Sequence, residues 1–138
     1  MALRLEREGR KFFVDCAARF ESKLARQTFE FLGAEEDKHI KRIEEYYNAI
    51  ESSGDTELPP LEGVSTEERF RVFDSRLERL RDELRPTASD VEAYRYALKF
   101  ENGAEQFYAK CMAESDDENI KHFYEWLIHE ESMHSRVL

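Results

Sequence analysis

The sequence predicts an all-α protein, a four-helix bundle made of two pseudo-symmetric helical hairpins with a long helical connector between them. Three observations carry this. Apolar residues recur at helical spacing through most of the 138 residues, with only five glycines and three prolines to interrupt them. Charged residues make up 38% of the chain and both signs are interspersed, as on the solvated faces of long helices. The chain also repeats itself. A shift of 95 residues lays 1–43 on 96–138 without a gap, and 11 of the 43 positions are then identical, against roughly 3 for unrelated helical sequence of this composition.

Each element follows from local signals. The first helix is expected over about Leu3 to Phe20, with Phe13, Ala17 and Phe20 on one face. The second runs from about Ser22 to Glu51 and stops at "SSGDTELPP", where Gly54 and Pro59-Pro60 break it. A connector helix over about Thr66 to Leu84 presents Phe70, Phe73, Leu77, Leu80 and Leu84. The stretch "RPTASD" breaks the chain again, with Ser89 and Glu92 as a candidate capping box for a third long helix over about Asp90 to Ala113. "ESDDEN" then starts the fourth. The organisation expected is one domain over 1–138: hairpin one 1–51, connector 52–89 and hairpin two 90–138. The connector is long enough to cross the bundle, so the second and third long helices can run parallel.

Composition excludes several functions. The net charge of −10 and the lack of any basic cluster argue against nucleic acid or an anionic membrane as partner. No apolar run approaches the ~18 residues of a membrane span. The start "MALRLEREGRKFF" lacks a secretory signal pattern, so a cytoplasmic location is expected. Two cysteines, Cys16 and Cys111, are too few for a four-cysteine metal site. Each lies ten residues after Glu6 or Glu101. If the first and third helices are antiparallel, that spacing places the cysteines far apart, as small core residues.

The candidate site comes from the repeat. "EEDKHIKR" at 35–42 returns as "EESMHSR" at 130–136. At 100° per residue, Glu36 and His39 share the face of Phe29, Leu32, Ile40 and Ile43, while Glu35 falls on the flank. Glu131 and His134 likewise share the face of Tyr124, Leu127 and Leu138. His122 and His129 fall on the opposite, surface side. On the partner helices, Glu6 shares its face with Ala2, Phe13, Ala17 and Phe20, and Glu101 with Ala97, Leu98, Tyr108 and Met112. Each hairpin thus brings one lone Glu and one Glu-x-x-His to an apolar face, with the two Glu residues 30 apart in both halves. Four buried carboxylates without compensation would cost several kcal/mol each. Two divalent cations would neutralise them, and mixed oxygen and nitrogen ligands suit iron or manganese better than structural zinc or calcium.

This arrangement resembles the ferritin-like diiron carboxylate superfamily, and within it the rubrerythrin-like branch without a rubredoxin domain. The resemblance covers 1–51 and 90–138. It implies metal ligation by Glu6, Glu36, His39, Glu101, Glu131 and His134, with two ions per chain, iron being expected and manganese or a mixed pair remaining open. Tyr108 resembles the aromatic residue that often sits beside such a metal pair; its counterpart in the first half is Phe13. Peroxidase-type relatives carry a further Glu three residues after the lone Glu of the third helix. Here that position is Ala104, with Glu105 one residue later and read as solvated.

The resemblance implies reduction of hydrogen peroxide or dioxygen in oxidative-stress defence, with electrons from a separate donor protein. The alternative is iron binding, delivery or storage, with ferroxidase activity as a by-product. The resemblance, together with Tyr46-Tyr47 at the end of the second helix, suggests a homodimer.

Overall fold

The computed structural model describes residues 1–57, 63–81 and 87–138. Among the described residues there are five helices and no strand: α1 (Ala2–Arg19), α2 (Lys23–Ser53), α3 (Thr66–Arg81), α4 (Ala88–Glu114) and α5 (Glu118–Val137). The expected helix boundaries hold to within two residues up to α3. Pro59, Pro60 and Leu84 lie outside the described residues.

Helix ends are set by short polar side chains that satisfy backbone groups the helix leaves open. Ser22 caps α2 by accepting from Ala25 N–H at 3.3 Å. Asp117 caps α5 by accepting from Asn119 N–H at 2.8 Å and from Ile120 N–H at 3.2 Å. At the far end of α2, Gly54 takes φ 69°, and its N–H donates to the Ile50 carbonyl at 2.8 Å. A side chain there would meet the left-handed conformation that glycine adopts without strain. The capping box of α4 is not Ser89 and Glu92. It lies two residues earlier: Thr87 Oγ1 accepts from Asp90 N–H at 3.2 Å, and Asp90 Oδ2 accepts from Thr87 N–H at 3.0 Å. The shorter Asp side chain closes this reciprocal pair and is itself buried.

α1 packs along α2 and α4 along α5, and the two hairpins meet through α1 against α4 and α2 against α5. Two apolar clusters fix the directions. One contains Ala2, Ile43, Ala104 and Leu127; the other contains Phe13, Leu32 and Ala97, with Leu138 against it. Going up in number, α2 and α4 both run from the second cluster to the first, and α1 and α5 run the other way. α2 and α4 are therefore parallel, as the connector length allows.

α3 lies across α2 and α5 and buries Phe70, Phe73 and Leu77. Phe31 stacks on Phe73 with ring centroids 3.9 Å apart. Cys16 sits in the second cluster, whereas Cys111 lies beyond Ala104 at the opposite end of the bundle, and both are free thiols. Cys111 is partly exposed, so only Cys16 is a core residue. Tyr46 and Tyr47 are not a free surface pair: Tyr46 is buried against Phe123 and donates to the Thr56 carbonyl at 2.6 Å.

The second cluster centres on Phe29, which is fully buried and meets the rings of Phe12, Phe13, Phe20 and Tyr94. Phe29→Ala is expected to lower unfolding stability by about 3–5 kcal/mol in chemical denaturation. A loss under about 1 kcal/mol would mean that this ring cluster does not hold the hairpins together.

Candidate metal centre

Between the two apolar clusters lies a single polar layer. Each of the four long helices carries its polar residues between a residue of one cluster and a residue of the other, so the bundle that buries the clusters buries these too. Glu6, Glu36, His39, Glu101, Glu131 and His134 are each at most 2% exposed. All six expected site residues meet here.

The geometry has an approximate twofold. His39 Nδ1 faces Glu6 Oε2 at 2.9 Å, Glu36 Oε2 at 3.4 Å and Glu131 Oε1 at 3.4 Å. His134 Nδ1 faces Glu101 Oε1 at 3.1 Å, Glu36 Oε1 at 3.4 Å and Glu131 Oε2 at 3.4 Å. Each lone Glu therefore serves the His of its own hairpin. Glu36 and Glu131 span both halves, giving one oxygen to each. The two imidazoles lie parallel, with centroids 4.8 Å apart. The ligand atoms of Glu36, His39, Glu131 and His134 all fall within 4.8 Å of one another. Tyr108 is fully buried and donates its hydroxyl to Glu6 Oε1, whereas Phe13 at the matching position has no group to offer.

These donors fit a pair of cations. Glu36 Oε2, Glu101 Oε2 and both oxygens of Glu131 are buried without a hydrogen-bond partner. Buried acceptors left in this state cost about 1–3 kcal/mol each, more when charged. Two divalent ions would match four negative charges, occupy the open oxygens and take one imidazole nitrogen each. The electrostatics of the protein alone show the strain of doing without them. Burial, then repulsion from Glu131 and Glu36, pushes Glu6 well above the usual carboxylate range; burial and Glu131 do the same to Glu101. Burial opposes charge on His39 and His134, but the surrounding carboxylates outweigh it and raise both well above the usual imidazole range. Burial also opposes charge on Glu36 and Glu131, yet both are lowered, Glu36 by the two imidazoles and Glu131 by Glu101 and the imidazoles.

A further shell of residues escapes the helical wheel. Glu35 lies on the flank, and that flank is interior: the side chain is fully buried and held by Arg69 of α3, with Nη2 2.8 Å from Oε2, and by Lys38. Its repeat partner Glu130 is 1% exposed, lies 3.2 Å from His39 Nε2, and accepts from Thr66 Oγ1 at 2.5 Å. The flank of α2 and of α5 becomes interior because α3 covers it. The only sequence signal was the doubled acid, identical in both halves. His122 and His129 are exposed, as expected, and His129 pairs with Glu67 at 2.7 Å. Glu105 is half-buried and outside the cluster.

A four-helix bundle whose two hairpins each bring a Glu and a Glu-x-x-His to a shared buried layer defines the ferritin-like carboxylate class. Comparison with protein-family models matches the rubrerythrin model to residues 1–138. The chain belongs to the rubrerythrin family. No curated protein and no solved structure matches it. No helix among the described residues is long and apolar enough to cross a membrane.

The raised groups give metal-free protein a definite pH dependence. Glu6, Glu101, His39 and His134 bind protons more tightly when folded. Their contribution is full below the unfolded values, about 4.3 for Glu and about 6.5 for His, and is lost as pH rises through the folded ones. Glu36 and Glu131 act oppositely, contributing above about 4.3 and losing that contribution in acid. The melting midpoint of chelator-treated protein is therefore expected to fall as pH rises from about 6.5, the unfolded imidazole value, into the alkaline range. Divalent metal should raise the midpoint and flatten the profile. A metal-free midpoint that rises over this range would contradict the assignment of these shifts.

Proposed function

We propose that this protein is a diiron carboxylate redox enzyme that reduces hydrogen peroxide or dioxygen in defence against oxidative stress. The observation that carries it is the pseudo-symmetric cluster itself, with two carboxylates spanning both halves and an imidazole nitrogen facing each. Glu6 and His39 would hold one ion, Glu101 and His134 the other, and Glu36 and Glu131 would contribute to both. Two ferrous ions bound there would supply Lewis acidity and one reducing electron each.

The protein's own groups do the rest. The apolar clusters on either side exclude bulk water. A cleft of about 690 Å³ between α2, α5 and the start of α3, lined by Arg42, Thr66 and Trp126 among others, reaches His39 and Glu130 and admits a molecule of peroxide size. The Tyr108 hydroxyl holds one oxygen of Glu6, leaving the other to face His39. Burial and Glu6 hold that phenol protonated well beyond its ordinary range, so it serves as a hydrogen-bond donor. Electrons come from a separate donor protein, and the working form is a cytoplasmic homodimer.

Iron delivery or storage is the competing reading, and turnover separates the two. Protein loaded anaerobically with ferrous iron should hold two ions per chain and, on mixing with peroxide, develop the near-ultraviolet absorption of an oxo-bridged ferric pair. With a reductant present it should consume many equivalents of peroxide. Consumption that stops in proportion to bound iron would favour storage. Glu36→Ala and His39→Ala should each lower the iron content; unchanged stoichiometry would sink the ligand assignment.

A further inference from the structure

The repeat relating the two hairpins breaks down one layer outside the six central side chains. Under the 95-residue shift, Glu35 corresponds to Glu130 and His39 to His134. Glu130 Oε2 lies 3.2 Å from His39 Nε2, so this ring has a carboxylate acceptor on the nitrogen that points away from the centre. The matching contact is missing in the other half. His134 Nε2 is buried with no hydrogen-bond partner, and Glu35 is occupied by Arg69 and Lys38.

The first turn of α3, which lies outside the repeat and occurs once, contributes to both differences; Lys38 of α2, whose repeat counterpart is Met133, adds a second contact to Glu35. Thr66 Oγ1 donates to Glu130 Oε1 and leaves Oε2 for His39. Arg69 makes a forked contact with Glu35, from Nε to both oxygens at 3.2 Å and from Nη2 at 2.8 Å. The guanidinium also lies 3.7 Å from Glu130, so its charge is matched by two carboxylates and does not repel a cation at the centre unopposed. The next residue, Phe70, stacks on the His134 ring with centroids 5.8 Å apart and covers it with an apolar face.

An imidazole that donates Nε2–H to a carboxylate is held in the tautomer that presents a bare Nδ1. Its orientation is fixed and its basicity raised, and such partners change metal affinity by about 10–100-fold. His134, lacking one, must bury an unpaired N–H in order to present the same nitrogen.

We infer that the first turn of the connector helix makes the two halves of the centre unequal. Thr66 and Glu130 pin His39, so the Glu6–His39 half takes its ion first and more tightly. Arg69, with Lys38, withholds Glu35 from His134 and leaves the Glu101–His134 half the weaker position. This rests on the dinuclear reading above. Thr66, Arg69 and Glu130 are positioning residues that act through His39 and Glu35.

The test is an anaerobic titration of the full metal-free chain with Co²⁺, followed by calorimetry and by the visible bands of the bound ion. Two ions should bind in two steps separated by at least about tenfold. His134→Ala should keep the tight step and His39→Ala should remove it. Glu130→Ala should weaken the first step alone by about 10–100-fold, and Glu130→Gln, which keeps an acceptor for Nε2–H, should restore most of it. Thr66→Val, further from the ions, should also weaken only the first step, and decides the matter if Glu130→Ala does not fold. Two equal steps in the unaltered protein, or a loss spread over both steps in the Glu130 or Thr66 variants, would overturn the inference while leaving a dinuclear centre. Fewer than two ions in the unaltered protein would overturn the dinuclear reading and this one together.

Discussion

The structure depends on how four carboxylates and two imidazoles are held in the middle of an apolar bundle. Water does not reach Glu6, Glu36, Glu101 or Glu131, and the hydrogen bonds available in the protein leave four of their oxygens without partners. The cost of that arrangement is spread through the molecule. It appears as a raised proton affinity at Glu6, Glu101 and the imidazoles, and as a donor committed from Tyr108. Cations are the one compensation that serves every open oxygen at once. Metal binding there would be coupled to folding, because the apolar clusters above and below the polar layer close only by burying it.

Those clusters also explain why the layer is so well ordered. On α1 the chain passes from Ala2 through Glu6 to Phe13, and on α2 from Leu32 through Glu36 and His39 to Ile43. α4 and α5 repeat the pattern. Each ligand candidate is thus clamped lengthwise by residues of its own helix that cannot move without opening a cavity. The stacked imidazoles and the two spanning carboxylates share this rigidity, which places donor atoms where ions would sit.

The connector helix departs from the symmetry and gives the centre a direction. By covering one side of α2 and α5 it turns two flanking acids into interior ones, and its Thr66 and Arg69 treat those acids differently. The cleft that reaches His39 opens beside the same turn. The added helix thus treats the two halves differently: Thr66 holds Glu130 against His39, while Phe70 lies over the His134 ring.

Helical periodicity, the 95-residue repeat and the Glu-x-x-His spacing by themselves determined the bundle, the pairing of its halves and the six central residues. Those properties depend on contacts within a turn of helix or on an internal copy, and both can be read along the chain. Tertiary structure decided the rest. A wheel places Glu35 and Glu130 on a flank, but only the packing of α3 over that flank makes it interior. Likewise Ser89 and Glu92 form a valid capping pattern, yet the chain uses Thr87 and Asp90, because Asp90 is also buried against the bundle. Tyr46 could serve a surface in any helix-end reading; its hydroxyl instead meets a carbonyl ten residues on. Burial by a distant element leaves no mark on local sequence, so which polar residues it captures is settled only when the helices meet.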